Sequence, residues 1–218
     1  FEGVLQADAF AGYNGVYTGK VIAAGCWAHV RRKFYDLTQS GPAPLADEAL
    51  RQIQALYVIE AEIRGLPPDK RKYQRQLCAK PLLETLHDWM NRTLRGLSKG
   101  SPLSKAIRYA LNQWDALVVY VSHGQVEIDN NTAERSLRPI ALGRKNYLFA
   151  GSVAGGERAA VIYTLLGTAK LNGLNPRAYL RHVLQRIAQH PSNRIDELLP
   201  WAVAAQWQPA AQPLPQAA

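Results

Sequence analysis

The sequence predicts an α/β fold in which helices predominate. Two short apolar runs near the start, residues 4–7 and 21–28, have the length and composition of buried strands. Residues 11–17 between them are long enough for a short helix, and the order strand, helix, strand favours two parallel strands. From Arg31 the apolar residues recur at helical spacing, and no strand pattern follows before about residue 122.

The region 31–122 is predicted to be a helical block made of several helices. Glycine- and proline-rich breaks separate them. Pro81 predicts a kink, because proline cannot donate a backbone hydrogen bond. Ser101 and Pro102 are the residue types preferred at the N-cap and the first position of a helix. The predicted helices are residues 31–38, 45–64, 69–94 and 101–121.

The remaining part of the chain is also predicted to be helical. A polar cluster at residues 129–132 precedes a helix that carries Glu134, and Pro139 is expected to end this helix. The glycine-rich residues 151–156 predict a loop. Further elements are predicted at residues 158–171, 175–189 and 195–201. The Ala, Gln and Pro composition near the end predicts a disordered tail at residues 206–218.

The charge balance favours a polyanionic partner. The 218 residues include 26 lysines and arginines against 17 aspartates and glutamates, which gives a formal net charge of +9. Phosphates attract such a surface because neutralising them releases condensed counterions. Nucleic acid is therefore the partner class that the composition indicates, and charge alone does not identify it.

Cysteine usage and hydropathy argue against secreted and membrane proteins. Cys26 and Cys78 lie far apart and form no disulfide framework of the kind that small secreted domains use. No apolar run reaches the roughly 20 residues that a membrane span needs. The first residues do not have the pattern of a secretory signal. The sequence therefore predicts a cytoplasmic protein without a membrane partner.

Asp8 is the first candidate for a functional carboxylate. It follows the strand predicted at residues 4–7, and open α/β sheets bind their ligands at the carboxyl ends of strands. Aspartate is also a preferred N-cap, so Asp8 is suited to beginning the next helix as well. The sequence leaves both interpretations open.

Glu134 is the second candidate, and it also has two interpretations. Residues 131–134 read Asn-Thr-Ala-Glu, which has the form of a capping box and gives the glutamate a structural role. The surrounding cations favour either a salt bridge or a metal held beside a phosphate-binding surface. Two carboxylates from distant segments are able to share a divalent cation such as Mg²⁺ with DNA phosphates. Spacing permits this chemistry and does not demonstrate it.

Two basic clusters are candidates for contacts with DNA. One follows the second predicted strand and the other follows Glu134. Their members are His29, Arg31, Arg32 and Lys33, and Arg135, Arg138, Arg144 and Lys145. A solvated helix start is the alternative interpretation of the first cluster. A further basic run at residues 70–75 is interpreted as a solvated helix face, with a DNA contact as the alternative. Cys26 and His29 lack the second ligand pair that structural zinc needs.

Four separated segments carry the most specific motifs. The first contains Asp8, the second joins a strand to a basic helix, and the third contains Glu134. They lie at residues 5–13, 25–34, 129–139 with 143–146, and 171–201. Together these segments resemble the insertion sequence 66 family of transposases. The resemblance extends over nearly all of residues 1–205 and is loose only between about residues 40 and 120.

The resemblance implies a bacterial DDE-type transposase, which cleaves DNA strands and transfers them with the help of Mg²⁺ or Mn²⁺. Asp8 would be the second metal-binding aspartate and Glu134 the catalytic glutamate. The two basic clusters would contact double-stranded DNA at transposon ends and target sites. The implied partners also include further copies of the chain, as a homo-oligomer, and accessory proteins of the same element. The implied location is the nucleoid.

The resemblance further implies an RNase-H-like fold with a helical insertion at about residues 31–122. The partial catalytic domain would cover residues 1–165, and a C-terminal helical element would cover residues 166–205. The family's first aspartate lies on an upstream strand that this sequence does not contain. The chain begins without methionine in a strand-like segment, which we interpret as a cut through a domain. We therefore expect this chain alone to be inactive and to fold less well than the longer protein.

Two other functions are consistent with the same sequence. The chain could be a non-catalytic remnant of a transposase that binds DNA through its basic surface. It could also be a basic helical scaffold that contacts other proteins. The first alternative predicts DNA binding that is sensitive to salt and indifferent to Mg²⁺. The second predicts no DNA binding at low salt.

Overall fold

The computed structural model describes residues 1–8, 11–13, 15–17, 19–143, 145–146 and 149–207. Helices predominate in these residues, as the sequence predicts, and the strands described form one parallel pair. The chain divides into two compact units, Phe1–Arg135 and Ser136–Ala218. The division falls inside one helix.

The first unit opens with strands and continues in helices. Its strands are β1 (Gly3–Gln6) and β2 (Val21–Ala24), with a 3₁₀ turn at Ala11–Tyr13 between them. Its helices are α1 (Trp27–Thr38), α2 (Pro44–Glu62), α3 (Pro68–Gln74), α4 (Lys80–Arg95), α5 (Pro102–Asn112), α6 (Trp114–Leu117) and α7 (Val119–Ser122). The next helix, α8 (Asn131–Gly143), crosses the division between the units.

The two strands are parallel, as predicted, but β2 is shorter than the predicted 21–28. Their register runs from Gly3 opposite Val21 to Gln6 opposite Ala24. Gly25 then turns away, and its amide donates to the carbonyl of Ala116 at 2.8 Å. Trp27 already belongs to α1. The tertiary hydrogen bond of Gly25 ends the strand, and sequence periodicity contains no sign of that bond.

The core of the first unit forms around one face of α1. Trp27, Val30 and Phe34 are at helical spacing and are fully buried against α2 and α5. The indole Nε1 of Trp27 donates to the carbonyl of Leu117 at 3.0 Å, so the buried polar atom is satisfied. The indole also makes an edge-on contact with Trp114, with ring centroids 5.7 Å apart.

A π-helical turn, Arg75–Ala79, joins α3 to α4. Pro81 lies at the start of α4 and has no backbone N–H to donate to the preceding turn. A departure from regular α-helix at this place was expected from Pro81, and it takes the form of the wider turn. The first residue of this turn, Arg75, is fully buried.

Arg75 makes a buried ion pair and binds three backbone carbonyls of one segment, residues 120–126. Its Nε and Nη2 atoms donate to the two carboxylate oxygens of Glu60 at 2.7 and 2.6 Å. Its Nη1 atom donates to three carbonyls between 2.9 and 3.2 Å away, those of Tyr120, His123 and Val126. The interpretation of residues 70–75 as a solvated face is therefore wrong at Arg75, because these acceptors replace water around its guanidinium.

The segment bound by Arg75 also packs closely against the start of α3. A side-chain Cβ at Gly124 would lie 1.7 Å from the carbonyl oxygen of Pro68, so only glycine fits there. The nearby Arg71 forms two 2.9 Å hydrogen bonds with the carboxylate of Glu127. Residues 123–127, which follow α7 and have no regular secondary structure, are thus held in place by these contacts.

The helix predicted at residues 101–121 begins as expected and is interrupted twice. Ser101 is the N-cap of α5, and its hydroxyl accepts a hydrogen bond from the amide of Ser104 at 3.2 Å. The breaks fall at Gln113 and Val118, the residues that separate α5, α6 and α7. The prediction of one continuous helix is therefore wrong.

Pro139 does not end α8, contrary to the prediction. The helix continues through Pro139 to Gly143. Proline at this position costs the hydrogen bond that residue 139 would donate to the carbonyl of Arg135. Both residues are exposed, so water is able to satisfy that carbonyl.

The second unit contains the remaining helices. They are α9 (Val153–Leu171), α10 (Pro176–Arg186), a 3₁₀ segment Ser192–Leu198, and α11 (Pro200–Trp207). The predicted loop at residues 151–156 is wrong from Val153, because Ser152 caps α9 by accepting from the amide of Gly155 at 3.0 Å. The predicted Asn175 cap is confirmed by its bonds to the amides of Arg177 and Ala178.

A small core holds the second unit together. It consists of Ala169, Leu174, Tyr179 and Val203. The Tyr179 hydroxyl donates to the carbonyl of Leu198 at 2.9 Å. Gln206 and Trp207, which the sequence assigned to the tail, belong to α11, and residues 208–218 lie outside the described residues.

No helix in the described part of the chain combines the length and the hydropathy that a membrane crossing needs.

We predict that Arg75→Met destabilises the chain by about 3–5 kcal/mol, because it leaves Glu60 as a buried charge without its partner. The free energy of unfolding is measured by urea denaturation followed by circular dichroism. Lys70→Met on exposed α3 removes the same formal charge and serves as the control. A loss below about 1 kcal/mol for Arg75→Met would contradict the structural role of the ion pair.

Candidate active site

The carboxyl ends of both strands meet the segment that leads into α8. The side-chain amide of Gln6 donates to the carbonyls of Gly25 at 3.2 Å and Glu127 at 2.7 Å. The backbone amide of Trp27 donates to the carbonyl of Ile128 at 3.1 Å. These hydrogen bonds join β1, the residues after β2 and the segment before α8 at the carboxyl ends of the strands. This is where α/β folds place functional groups.

Asp8 lies at this edge. It follows Ala7, whose amide continues the strand pairing by donating to Ala24 at 3.1 Å. Burial raises the pKa of Tyr109 on α5, and the negative charge of Asp8 adds to this rise. The ring of Tyr109 also lies 5.4 Å from the Nζ atom of Lys33 on α1. Asp8 is therefore near Tyr109 of α5.

Glu134 is exposed on the first turns of α8 and faces α1. Its side chain is 45% accessible, and its Oε1 atom lies 3.5 Å from Nε2 of His29. Asn131 is the first helical residue, whereas a capping box would need it as the cap. The Glu134 amide donates to the carbonyl of Asn130 at 3.0 Å. The structure thus directs this carboxylate towards the strand-to-helix junction.

The basic residues of α1 lie on its solvent face. Arg31, Arg32 and Lys33 are exposed, opposite the buried face of the helix. His29 is partly exposed, and its Nδ1 atom is buried without a hydrogen-bond partner in the part of the chain that is described. The structure brings His29 to Glu134 and leaves the three cations accessible to solvent.

The second basic cluster divides between the two units. Arg135 belongs to the first unit, and its Nη2 atom donates to the Thr132 hydroxyl at 3.4 Å. Arg138 and Lys145 belong to the second unit, and both are exposed. Arg144 lies outside the described residues.

Sequence reasoning assigned no role to Tyr57 or Asp129, which form a contact beside this site. The Tyr57 hydroxyl donates to Oδ2 of Asp129 at 3.0 Å, and the Asn131 amide donates to Oδ1 at 3.1 Å. Burial raises the pKa of Tyr57, and the neighbouring carboxylate raises it further. A tyrosine at an apolar-periodic position of α2 was the available signal, since a half-buried hydroxyl needs a partner.

The donor atoms present fit a divalent cation in kind. Mg²⁺ and Mn²⁺ prefer oxygen ligands, which Asp8 and Glu134 offer. The side-chain oxygen of Asn130, one turn before Glu134, is buried without a hydrogen-bond donor among the described residues. Within the same residues, no three side chains of His, Cys, Asp or Glu lie together as a metal-binding group. The described chain therefore offers part of a ligand set.

Comparison with known proteins identifies two family models that together match most of the chain. The model described as Transposase IS66 family matches residues 1–158. The model described as IS66 C-terminal element matches residues 164–201. The two matches lie end to end, in the order in which the sequence motifs occur.

Curated relatives include three proteins of Sinorhizobium fredii (strain NBRC 101917 / NGR234). Uncharacterized protein y4hP is 38% identical over an alignment that covers 92% of this chain and 40% of the relative. Uncharacterized protein y4qI is 39% identical over an alignment that covers 92% of this chain and 39% of the relative. The chain thus spans about two fifths of the length of these relatives. No solved structure matches the chain.

We predict that Cys26 reacts slowly with thiol reagents and that Cys78 reacts quickly. Burial raises the pKa of the Cys26 thiol, so near pH 8 its thiolate fraction is below that of an ordinary cysteine. Cys78 is exposed. The test is the rate of reaction with a chromogenic disulfide in the folded chain. Cys78→Ser should abolish the fast phase and Cys26→Ser should keep it, and the reverse pattern would refute the prediction.

Proposed function

Because the chain belongs to the IS66 family of transposases, we propose that it forms part of a DDE-type catalytic domain. The proposed activity is metal-dependent cleavage of DNA strands and their transfer to a target during transposition. The observation that carries the proposal is the meeting of the β1 end, which bears Asp8, with the segment that leads to Glu134. The hydrogen bonds of Gln6 and Trp27 support this arrangement.

The proposed roles follow from the chemistry of each side chain. Asp8 and Glu134 would hold Mg²⁺ or Mn²⁺, which when bound stabilises charge on the attacking and leaving oxygens of a phosphoryl transfer. His29, 3.5 Å from Glu134, would help to orient that carboxylate. The side chain of Glu134 is accessible to solvent, which leaves room for a DNA phosphate beside it.

The basic residues would bind the phosphates of double-stranded DNA at transposon ends and target sites. They are His29, Arg31, Arg32, Lys33, Arg135, Arg138, Arg144 and Lys145. Accessible arginines and lysines supply the affinity of such contacts without reading sequence. We further propose that the longer protein acts as a homo-oligomer with accessory proteins of the same element.

We also propose an RNase-H-like fold whose sheet is completed by an upstream segment. The amides of Gly3 and Ala7 face β2, so the alternate residues Val4 and Gln6 turn their backbone groups to the other edge. A cavity of about 780 Å³ lies along β1 and residues 122–127. We propose that a strand from an upstream segment of the longer protein pairs there and carries the first aspartate. We assign residues 1–165 to the catalytic domain and 166–205 to a C-terminal element.

A non-catalytic DNA-binding remnant is the second candidate function. The observation that favours it is the incomplete ligand set, since no group of three metal-binding side chains occurs in the described residues. In that case the basic face of α1 would bind DNA with the same affinity in the presence and absence of Mg²⁺.

We predict that Glu134→Gln lowers the rate of strand cleavage by about 10²-fold or more, since a metal-binding carboxylate contributes several kcal/mol to the transition state. The assay uses the chain joined behind the upstream segment of y4hP and a duplex that carries the terminal repeat. Exposed Glu84→Gln on α4 is the matched control. Equal cleavage by Glu134→Gln and the parent would reject the catalytic role of Glu134.

We predict that alanine at Arg31, Arg32 and Lys33 together weakens DNA binding and its dependence on salt. Each lost phosphate contact reduces the slope of log K against log salt by about one. The measurement is fluorescence anisotropy with a labelled duplex at several salt concentrations. The control replaces the exposed Arg92, Arg95 and Lys99, which removes the same charge. Equal slopes for the two triple variants would show that α1 does not face DNA.

A further inference from the structure

Asp129 connects the helical block to the helix that carries Glu134. One of its carboxylate oxygens accepts the amide of Asn131, the first residue of α8, at 3.1 Å. The other accepts the hydroxyl of Tyr57, on α2, at 3.0 Å. A single carboxylate therefore joins the start of α8 to a helix that lies 72 residues earlier in the chain.

We propose that Tyr57 and Asp129 are positioning residues that set the place of Glu134 in the active site. This inference rests on the proposed catalytic role of Glu134. It gives the helical block a part in the reaction, although the resemblance to the family is loose between about residues 40 and 120.

Both ends of this contact are anchored in the first unit. Tyr57 is next to Leu56, which is 1% exposed in the core, and it is one turn before Glu60, the partner of Arg75. On the other side, Ile128 is buried and accepts the amide of Trp27. The hydroxyl and the carboxylate thus meet between two fixed supports, and movement of either would require repacking of the core.

Glu134 itself has no comparably strong side-chain anchor among the contacts described. Its distance of 3.5 Å to His29 is longer than a good hydrogen bond. Its backbone, by contrast, is fixed to Asn130, the residue directly after Asp129. The backbone of a helix moves as a rigid unit. The hydrogen bonds of Asp129 at the start of α8 therefore determine where the Glu134 carboxylate lies one turn later.

The first test is amide hydrogen exchange of Asn131 and Glu134 in the folded chain. Tyr57→Phe removes only the hydroxyl, and the lost bond to a charged acceptor should speed exchange at both amides about tenfold. Tyr73→Phe, at an exposed position of α3, should leave exchange unchanged. Unchanged exchange in Tyr57→Phe would overturn the proposal.

Asp129 provides a second, independent comparison. Asp129→Ala removes both acceptors and should speed exchange at the two amides at least as much as Tyr57→Phe. Asp129→Asn keeps an acceptor oxygen and should restore most of the protection. Equal exchange in the alanine and asparagine variants would overturn the proposal, even if Tyr57→Phe failed to fold.

Cleavage kinetics separate positioning from general stabilisation. With the upstream segment of y4hP supplied, Tyr57→Phe should lower kcat about tenfold and leave the KM for DNA within about twofold. A change in KM alone would contradict a positioning role. Full activity of Glu134→Gln would reject the proposed function and leave the exchange results intact. Inactive Glu134→Gln together with unchanged exchange in Tyr57→Phe would reject only the positioning pair.

Discussion

The buried ion pair between Arg75 and Glu60 is the constraint on which the arrangement of the first unit depends. A guanidinium with no exposure to water must have its charge and its donors satisfied by protein groups. Glu60 supplies the charge, and backbone carbonyls between residues 120 and 126 supply further acceptors. Because the donors of a guanidinium are coplanar and rigid, this segment has little freedom to move. Residues 123–126, which follow α7 and have no regular secondary structure, are thereby held in place by hydrogen bonds.

The position of the candidate site follows from this constraint. The fixed segment leads directly to Glu127 and Ile128, whose carbonyls accept the side chain of Gln6 and the amide of Trp27. The sheet, α1 and the segment before α8 are therefore joined through the side chain of Gln6 and the amide of Trp27, whose acceptors are backbone carbonyls. The hydrophobic face of α1 supplies the packing free energy, and its opposite face presents cations.

Under the function proposed for this member of the IS66 family, these features serve a common purpose. A DNA-processing site needs carboxylates at a sheet edge, cations nearby, and supports that hold both in place. The helical block, between α1 and the segment that leads to α8, contributes supports through Tyr57, Glu60 and Arg75. The second unit has its own small core around Tyr179 and Val203.

The sequence by itself determined the helical character, the parallel strands, the caps at Ser101 and Asn175, and the family, because periodicity, capping chemistry and motifs are local properties. Tertiary structure decided that β2 ends at Ala24, that α8 continues past Pro139, and that Arg75 is buried. It also decided that Asp129 meets Tyr57 and that Glu134 faces His29. Each of these outcomes depends on a partner, or on exposure to water, that spacing along the chain does not reveal. Long-range hydrogen bonds and burial determine these outcomes, and both arise only when the chain has folded.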